Sequence, residues 1–214
     1  MGQTKRVATQ QRVAPIYSVH PSVAMMQAWI AGLHQKTGRT LDEWIDLVQE
    51  EGPEPEPERR AWLKAKHGLG TNASWWIAQR AEGKGMEDGD PEAYLKAAEG
   101  YVEAMFEGKR AGIRPIFEKI LAMARRMGPD VKVCPCKTIV PVYRQHVFAE
   151  IKPATMSRID LGFALGSMKA AGRLVETGGF EKKDRITHRI PIEALCGVDA
   201  EVKKWLKYAY DLDA

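Results

Sequence analysis

The stretch VKVCPCKTIVPVYRQHVFAEIKPATMSRIDLGFALG, residues 131–166, decides the fold of this chain. Its apolar residues come in short runs separated by turn-forming and polar residues, which is typical of strands rather than helices. The pattern predicts four strands here and a fifth further along, at residues 131–133, 138–143, 146–152, 158–163 and 185–190. Because the links between consecutive strands are short, neighbours are expected to pair antiparallel as a meander.

Helical patterns lie on both sides of the predicted sheet. Asp90 followed by Pro91 starts a helix in the preferred way, with a capping side chain and then a proline at the first position. A second helix follows Gly108, and Asp199 can cap a last one. The apolar stripes of the first two are expected to cover the sheet. Residues 90–214 are therefore predicted to form an α+β domain of two layers, an antiparallel sheet of about five strands covered by helices.

Residues 21–89 are predicted to form a small all-helical module. Ser22 can cap its first helix, which Gly38 ends, and Thr40 with Glu43 forms a capping box for the second. Residues 1–20 show no periodicity and are predicted to form a flexible arm. The glycine-rich, charged segment GKGMEDGD, residues 83–90, is the predicted boundary between the module and the α+β domain.

The third and fourth helices of this module are predicted on either side of Gly68. The segment GPEPEPE, residues 52–58, cannot continue a helix and precedes the third, which runs from about Glu58 to Lys66. Thr71 or Asn72 can cap the fourth. Helix, glycine-containing turn and helix together form the outline of a helix-turn-helix, although many helical hairpins that do not bind DNA share it.

Composition excludes several classes of protein. The formal net charge of the 214 residues is +4, and no apolar run approaches the roughly 20 residues that a membrane span needs. The amino-terminal residues lack the apolar core of a secretory signal peptide. Three cysteines do not indicate a disulfide framework. We therefore expect a cytoplasmic protein that makes no contact with membranes.

Charge is distributed unevenly along the chain. Residues 40–60 hold eight acidic and two basic residues, a net charge of −6, whereas residues 131–190 hold eleven basic and five acidic ones, a net charge of +6. This positive charge favours an anionic partner. The residues predicted to bind it interleave basic and aromatic side chains, suited to phosphate and stacking contacts: Lys137, Tyr143, Arg144, His146, Arg158, Arg173, His188 and Arg189. For His188, an inward-facing, hydrogen-bonded ring is an equal alternative.

Several motifs resemble two bacterial families. KTGRTLDEWIDLV and WLKAKHGLGTNASWWIA resemble the uncharacterised-domain family numbered 4287. KTIVPVYRQHVFAEIKPATMSRIDLGFAL, with GRLVETGGF and ITHRI, resembles the uncharacterised-domain family numbered 5655. Together they extend from about residue 22 to residue 191. The resemblance implies a helical module joined to an α+β module and implies no activity. The Cys134-Pro135-Cys136 triplet departs from the family pattern.

Two patterns offer more specific chemistry. Asp130 with Glu150 and Lys152 matches the outline of a PD-ExK nuclease, in which two carboxylates hold magnesium and the lysine stabilises charge at the phosphate. Cys134 and Cys136 would share one face of a strand and could form half of a zinc site, with His146 or His188. Two small buried side chains are the alternative for the cysteines.

These observations favour a binding module over an enzyme. We expect a basic sheet surface that meets an anionic partner, with nucleic acid as the first candidate and an anionic metabolite as the second. The alternatives are a magnesium-dependent nuclease and a structural module that pairs its acidic half with its basic half or with a second copy. No cofactor is expected.

Overall fold

The computed structural model describes residues 15–214. Residues 1–14 of the predicted arm lie outside the described residues. Residues 15–20 lie against the edge of the sheet, where the Ser18 backbone N–H donates to the Val133 carbonyl oxygen at 2.8 Å. Tyr17 and Val19 pack on buried side chains, and this burial of apolar surface holds a segment that was predicted to be loose.

The amino-terminal module contains four helices: α1 (Pro21–Thr37), α2 (Leu41–Glu51), α3 (Glu56–His67) and α4 (Thr71–Ala81). The predicted capping box of α2 is confirmed, since Glu43 N–H donates to the Thr40 hydroxyl and Thr40 N–H donates to the Glu43 carboxylate. Gly38 ends α1 and Gly68 ends α3, both in the left-handed conformation that glycine adopts without strain.

The predicted helix starts in this module are shifted by one to two residues. His20, not Ser22, caps α1, because Pro21 suits the first helical position and its predecessor stays extended. Helix α3 begins at Glu56 with Pro57 in its first turn, where a proline loses no helical hydrogen bond. Gly70, rather than Thr71 or Asn72, precedes α4.

Two further helices precede the sheet, α5 (Pro91–Met105) and α6 (Arg114–Arg125). The predicted cap of α5 is confirmed, because the Asp90 carboxylate accepts from the Ala93 N–H at 2.6 Å. A 3₁₀ turn at Met86–Asp88 lies in the segment predicted as the module boundary.

The α+β architecture is confirmed, and its sheet has six antiparallel strands in the order β1-β2-β3-β4-β6-β5. The strands are β1 (Lys132–Val133), β2 (Val140–Tyr143), β3 (Val147–Pro153), β4 (Ile159–Phe163), β5 (Val175–Glu176) and β6 (His188–Ile192). The prediction of about five strands missed β5, which is an exposed edge strand of two residues and therefore carries no buried alternation.

The main core lies between one face of the sheet and helices α5, α6 and α7 (Ala200–Leu212). Pairing of β3 with β4 and of β4 with β6 aligns Ile151, Leu161 and Ile190, all fully buried, in one row. A bulge in β3 interrupts the alternation, so that neighbouring Phe148 and Ala149 are both buried.

Two smaller clusters complete the interior. The helical module buries its own set, which includes Trp44, Val48 and Ile77. Val23 of α1 packs on Tyr94 and Ala98 of α5, so α1 contacts both parts of the chain. Among the helices within residues 15–214, none is long and apolar enough to cross a membrane.

Candidate functional site

The arginines predicted on the sheet have carboxylate partners in the same chain. On the strands, Asp160 lies 2.9 Å from Arg158 Nε and 2.5 Å from an Arg189 guanidinium nitrogen. The register also places Asp160 opposite Lys152. This side of the sheet is therefore a mixed surface, on which the two arginines share the single Asp160 carboxylate.

Arg144 sits at the end of the hairpin between β2 and β3 and is held by three contacts. Its Nε donates to the Asp130 carboxylate at 2.8 Å, and its Nη1 donates to the Tyr210 carbonyl oxygen at 3.1 Å. The guanidinium also lies over the Tyr210 ring, 4.3 Å from its centroid. Arg144 thus ties the hairpin to α7.

His146 and Arg185 share one buried carboxylate, that of Asp213. The carboxylate accepts from the His146 backbone N–H at 2.8 Å and from an Arg185 guanidinium nitrogen at 2.5 Å, and His146 Nδ1 lies 3.0 Å away. Asp213 is 3% exposed, whereas the His146 side chain is 69% exposed. The outer nitrogen of His146 therefore stays accessible.

Arg173, predicted at a loop mouth for anion recognition, binds the start of α7. It donates to the Glu201 and Asp199 carboxylates, both at 2.7 Å, and to the Gly197 carbonyl oxygen at 3.2 Å. The guanidinium of Arg173, which was predicted to bind an external anion, is thus already bound within the chain. Lys137 is the most accessible residue of the predicted set, 76% exposed, with its Nζ 3.9 Å from Glu87.

His188 and Tyr143 point inward to hydrogen-bond partners. His188 Nε2 donates to the Met168 carbonyl oxygen at 2.9 Å, so its Nδ1 accepts from the Thr187 hydroxyl at 2.8 Å. Both ring nitrogens are used, which agrees with the inward-facing alternative for this residue. The Tyr143 hydroxyl meets His20 Nε2 at 3.0 Å, and burial raises the pKa of Tyr143 to about 12.

The three residues of the nuclease outline have different surroundings. The Tyr210 hydroxyl donates to Asp130 at 2.5 Å, and this bond and Arg144 lower the pKa of the Asp130 carboxyl. Burial raises the pKa of Glu150, which favours its neutral form, while Lys152 is exposed. Within residues 15–214, no three His, Cys, Asp or Glu side chains converge as metal ligands would.

Cys134 and Cys136 lie just after β1, where the Cys134 N–H still donates to the Pro141 carbonyl oxygen at 3.1 Å and the Cys136 N–H donates to that of Ile139 at 2.8 Å. Both are free thiols, and burial raises the pKa of Cys134 to about 12. Their sulfurs contact backbone carbonyl oxygens, of Val19 and Cys134 respectively. Cys134 packs as a small buried side chain, and Cys136 is partly buried.

A groove between α6 and α7 is lined by positive charge, and no carboxylate of the described residues is part of its lining. Its volume is about 540 Å³. Lys119 and Arg126 stand on one side, Lys203 and Lys207 on the other, and the floor between them is apolar, formed by Ala122, Met123 and Met127. We refer to this feature as the helix groove.

The charges of the helix groove are only partly compensated. Lys207 pairs with Asp211 one turn along α7, and Lys119 donates to the Leu195 carbonyl oxygen at 3.1 Å. Arg126 and Lys203 form no ion pair with any residue in the described part of the chain. Lys203 and Lys207 are one helical turn apart, which places their side chains about 6 Å from each other on one face.

The helix groove continues toward the hairpin through Tyr210. The Lys207 ammonium lies 5.8 Å from the centroid of the Tyr210 ring, and Arg144 covers the same ring. Arg144, a member of the predicted binding set, therefore shares a contact with a lysine of the groove through this ring.

Sequence reasoning missed the helix groove because its charges come from segments far apart in the chain. The positive window at residues 131–190 excludes both α6 and α7. A signal was present in the paired cations of MARRM and VKKWLK, which flank the apolar stripes of these two helices. Only the packing of α6 and α7 on one sheet places them side by side.

Helix α4, in the position of a recognition helix, presents little charge. Its one basic residue, Arg80, is 4% exposed and donates to the Trp76 carbonyl oxygen. Trp75 is the partly exposed aromatic on this helix, whereas Trp76 packs on Trp29 of α1. DNA binding by α3 and α4 stays a prediction.

Comparison with protein families gives two matches, both described as domains of unknown function. The model of the Domain of unknown function (DUF5655) matches residues 102–213, just over half of the chain. The model of the Domain of unknown function (DUF4287) matches residues 25–82. No curated protein and no solved structure matches the chain.

Proposed function

Because the chain belongs to the family of the Domain of unknown function (DUF5655), and the matched region contains both helices of the helix groove, we propose that this domain is a binding module for an anionic partner. The partner that suits the groove best is single-stranded nucleic acid. The observation that carries the proposal is the lining of the groove, four cations around an apolar floor without a carboxylate.

The chemistry of the groove suits a single strand. Lysine and arginine side chains neutralise phosphates, and the release of counterions drives binding in a way that depends on salt. The thioethers of Met123 and Met127 offer a polarisable apolar floor on which a base can lie. In a helix-turn-helix the second helix reads a duplex, and α4, whose one basic residue is buried, does not suit that role.

Location in the cytoplasm is part of the same proposal. All three cysteines of the chain are free thiols, and Cys196 is exposed. Free, exposed thiols suit a reducing compartment, which is also where single-stranded nucleic acid is found. Fractionation of cells that express the tagged chain would test this placement.

The direct experiment measures fluorescence anisotropy of a short labelled thymidine strand at low salt. We expect the wild-type chain to bind, and the double variant Arg126→Gln/Lys203→Gln to bind about tenfold more weakly because two phosphate contacts are lost. The matched control is Lys152→Gln/Lys182→Gln, which removes the same charge from exposed positions outside the groove. It should keep the wild-type affinity to within about twofold.

The other partners give different results in the same series. If the control variant loses binding and the groove variant keeps it, the binding surface is assigned to the sheet instead. Calorimetric binding of pyrophosphate without binding of the strand would favour an anionic metabolite. A concentration-dependent dimer that the groove variant abolishes would favour pairing with a second copy.

A further inference from the structure

A second cavity, which we call the junction cleft, lies where the helical module meets the sheet domain. Its volume is about 350 Å³. It is lined by His20 at the start of α1, Asp88 in the 3₁₀ turn, Tyr94 and Tyr101 of α5, and the 135–139 segment between β1 and β2. Five of its ten lining residues, Asp88 among them, lie outside both family matches, and the other five lie within residues 102–213.

Asp88 is the chemically unusual member of the junction cleft. It is half-buried, yet none of the residues at 15–214 forms an ion pair or a side-chain hydrogen bond with its carboxylate. Burial first, and then the neighbouring Glu87, raise the pKa of Asp88. Arg80 and Lys137 are the positive charges that act against this shift, and Lys137, which also lines the cleft, pairs with Glu87 instead. A half-buried carboxylate without a partner favours the arrival of a positive charge.

Tyr94 and Tyr101 contribute aromatic rings to the lining, and their hydroxyl groups are already hydrogen-bonded. The Tyr94 hydroxyl donates to the Pro135 carbonyl oxygen at 2.8 Å, and the Tyr101 hydroxyl donates to Glu87 at 3.0 Å. These bonds fix the two rings beside Asp88. Aromatic faces attract cations, and a pocket that combines apolar side chains with a few placed polar groups is the usual form of a small-molecule site.

We propose that the junction cleft is a binding site for a small organic ammonium ion, with Asp88 as its counter-ion and the rings of Tyr94 and Tyr101 as its walls. A ligand in this position touches the turn after α4, helix α5 and the β1–β2 loop together. It therefore braces the helical module against the sheet domain.

The test titrates the full chain by calorimetry with 2-phenylethylamine and with its neutral isostere, 2-phenylethanol. We expect saturable binding of the amine at one site and at least about tenfold weaker binding of the alcohol, because only the amine forms a charge-assisted hydrogen bond. Asp88→Asn should weaken amine binding about tenfold or more, and Asp88→Glu should restore most of it.

The control variant is Asp46→Asn, which changes an exposed carboxylate on α2 and should leave amine binding unchanged. Equal binding of amine and alcohol, absence of saturable amine binding, or unchanged binding in Asp88→Asn would overturn the proposal. The preference of the wild-type chain for the amine decides the matter even if Asp88→Asn folds poorly. Arg126→Gln/Lys203→Gln should bind the amine normally, so the proposals for the junction cleft and for the helix groove are tested independently.

Discussion

At the scale of single residues, hydrogen bonds decide which polar side chains remain available. The His20 ring uses both nitrogens: Nδ1 accepts from the Ser22 backbone N–H at 3.1 Å and caps α1, and Nε2–H therefore donates to the Tyr143 hydroxyl. One histidine thus connects the start of the helical module to the sheet. Protonation of Nδ1 would remove the acceptor on which this cap depends.

The stability of the chain should therefore depend on pH through His20. Burial lowers the pKa of His20, so the unfolded chain takes up the proton first as the pH falls through the ordinary histidine value of about 6.5. The stabilisation is complete above that pH and is lost as the pH falls through the lowered pKa of the folded chain. Urea denaturation should show a decrease in unfolding free energy between about pH 7.5 and about pH 5.5 that is shallower in His20→Asn.

Comparing the wild type with His20→Asn separates the contribution of His20 from that of the other titrating groups. Burial also lowers the pKa of His67, whose ring lies between Trp44 and Trp62, but His67 is present in both proteins. His34→Asn, an exposed change in the last turn of α1, should keep the wild-type pH dependence. Identical slopes for wild type and His20→Asn would contradict the role given to His20.

Single residues also show which contacts can be predicted from the sequence and which cannot. Asp90 and the Thr40–Glu43 pair act through neighbours in the chain, and their caps were predictable from spacing alone. The cap of α1 was not, since histidine is not among the residues preferred there and its second partner is Tyr143, far along the chain. The same holds for the partner of His188, because Met168 approaches it only when the loop after β4 folds back.

At the scale of elements, α7 is the helix that binds three arginines from the loops around the sheet, Arg144, Arg173 and Arg185. Its first residues and cap bind Arg173, and its last turn and the following residue bind Arg144 and Arg185. Alternation and turn residues were enough to predict the longer strands, because one face of each strand is buried. The partners of these arginines could not be predicted, since their carboxylates lie outside residues 131–190, the segment whose positive charge predicted the binding surface.

Arg173→Ala should therefore affect stability rather than binding. The variant loses three contacts at the start of α7, and we expect the unfolding free energy to fall by about 1 kcal/mol. Affinity for the labelled strand should stay within about twofold of wild type at low salt. Weaker binding at unchanged stability would instead assign Arg173 to an anion site, as its position in the sequence predicted.

At the scale of the whole molecule, the sheet and the helix groove differ in whether their basic side chains have carboxylate partners. The arginines of the sheet are paired with Asp130, Asp160, Asp199, Glu201 and Asp213. Arg126 and Lys203 of the groove have no such partners within residues 15–214. The fold class followed from the sequence, but the binding surface depends on which helices the sheet brings together.

The same compensation bears on the nuclease alternative. Because both oxygens of the Asp130 carboxylate are already bound, one by Arg144 and the other by Tyr210, we expect no magnesium-dependent cleavage of plasmid DNA. Wild type and Glu150→Ala should leave equal amounts of intact plasmid, at the level of a blank preparation. Cleavage by the wild type that Glu150→Ala abolishes would establish the nuclease alternative.

The most direct test of the helix groove is the salt dependence of strand binding. With three to four phosphate contacts, the logarithm of the association constant should fall with the logarithm of salt concentration at a slope of about −2 to −3. In Arg126→Gln/Lys203→Gln the slope should be shallower by about 1.4, and in Lys152→Gln/Lys182→Gln it should equal that of wild type. Equal slopes for the wild type and the groove variant would contradict the assignment of the binding surface to the helix groove.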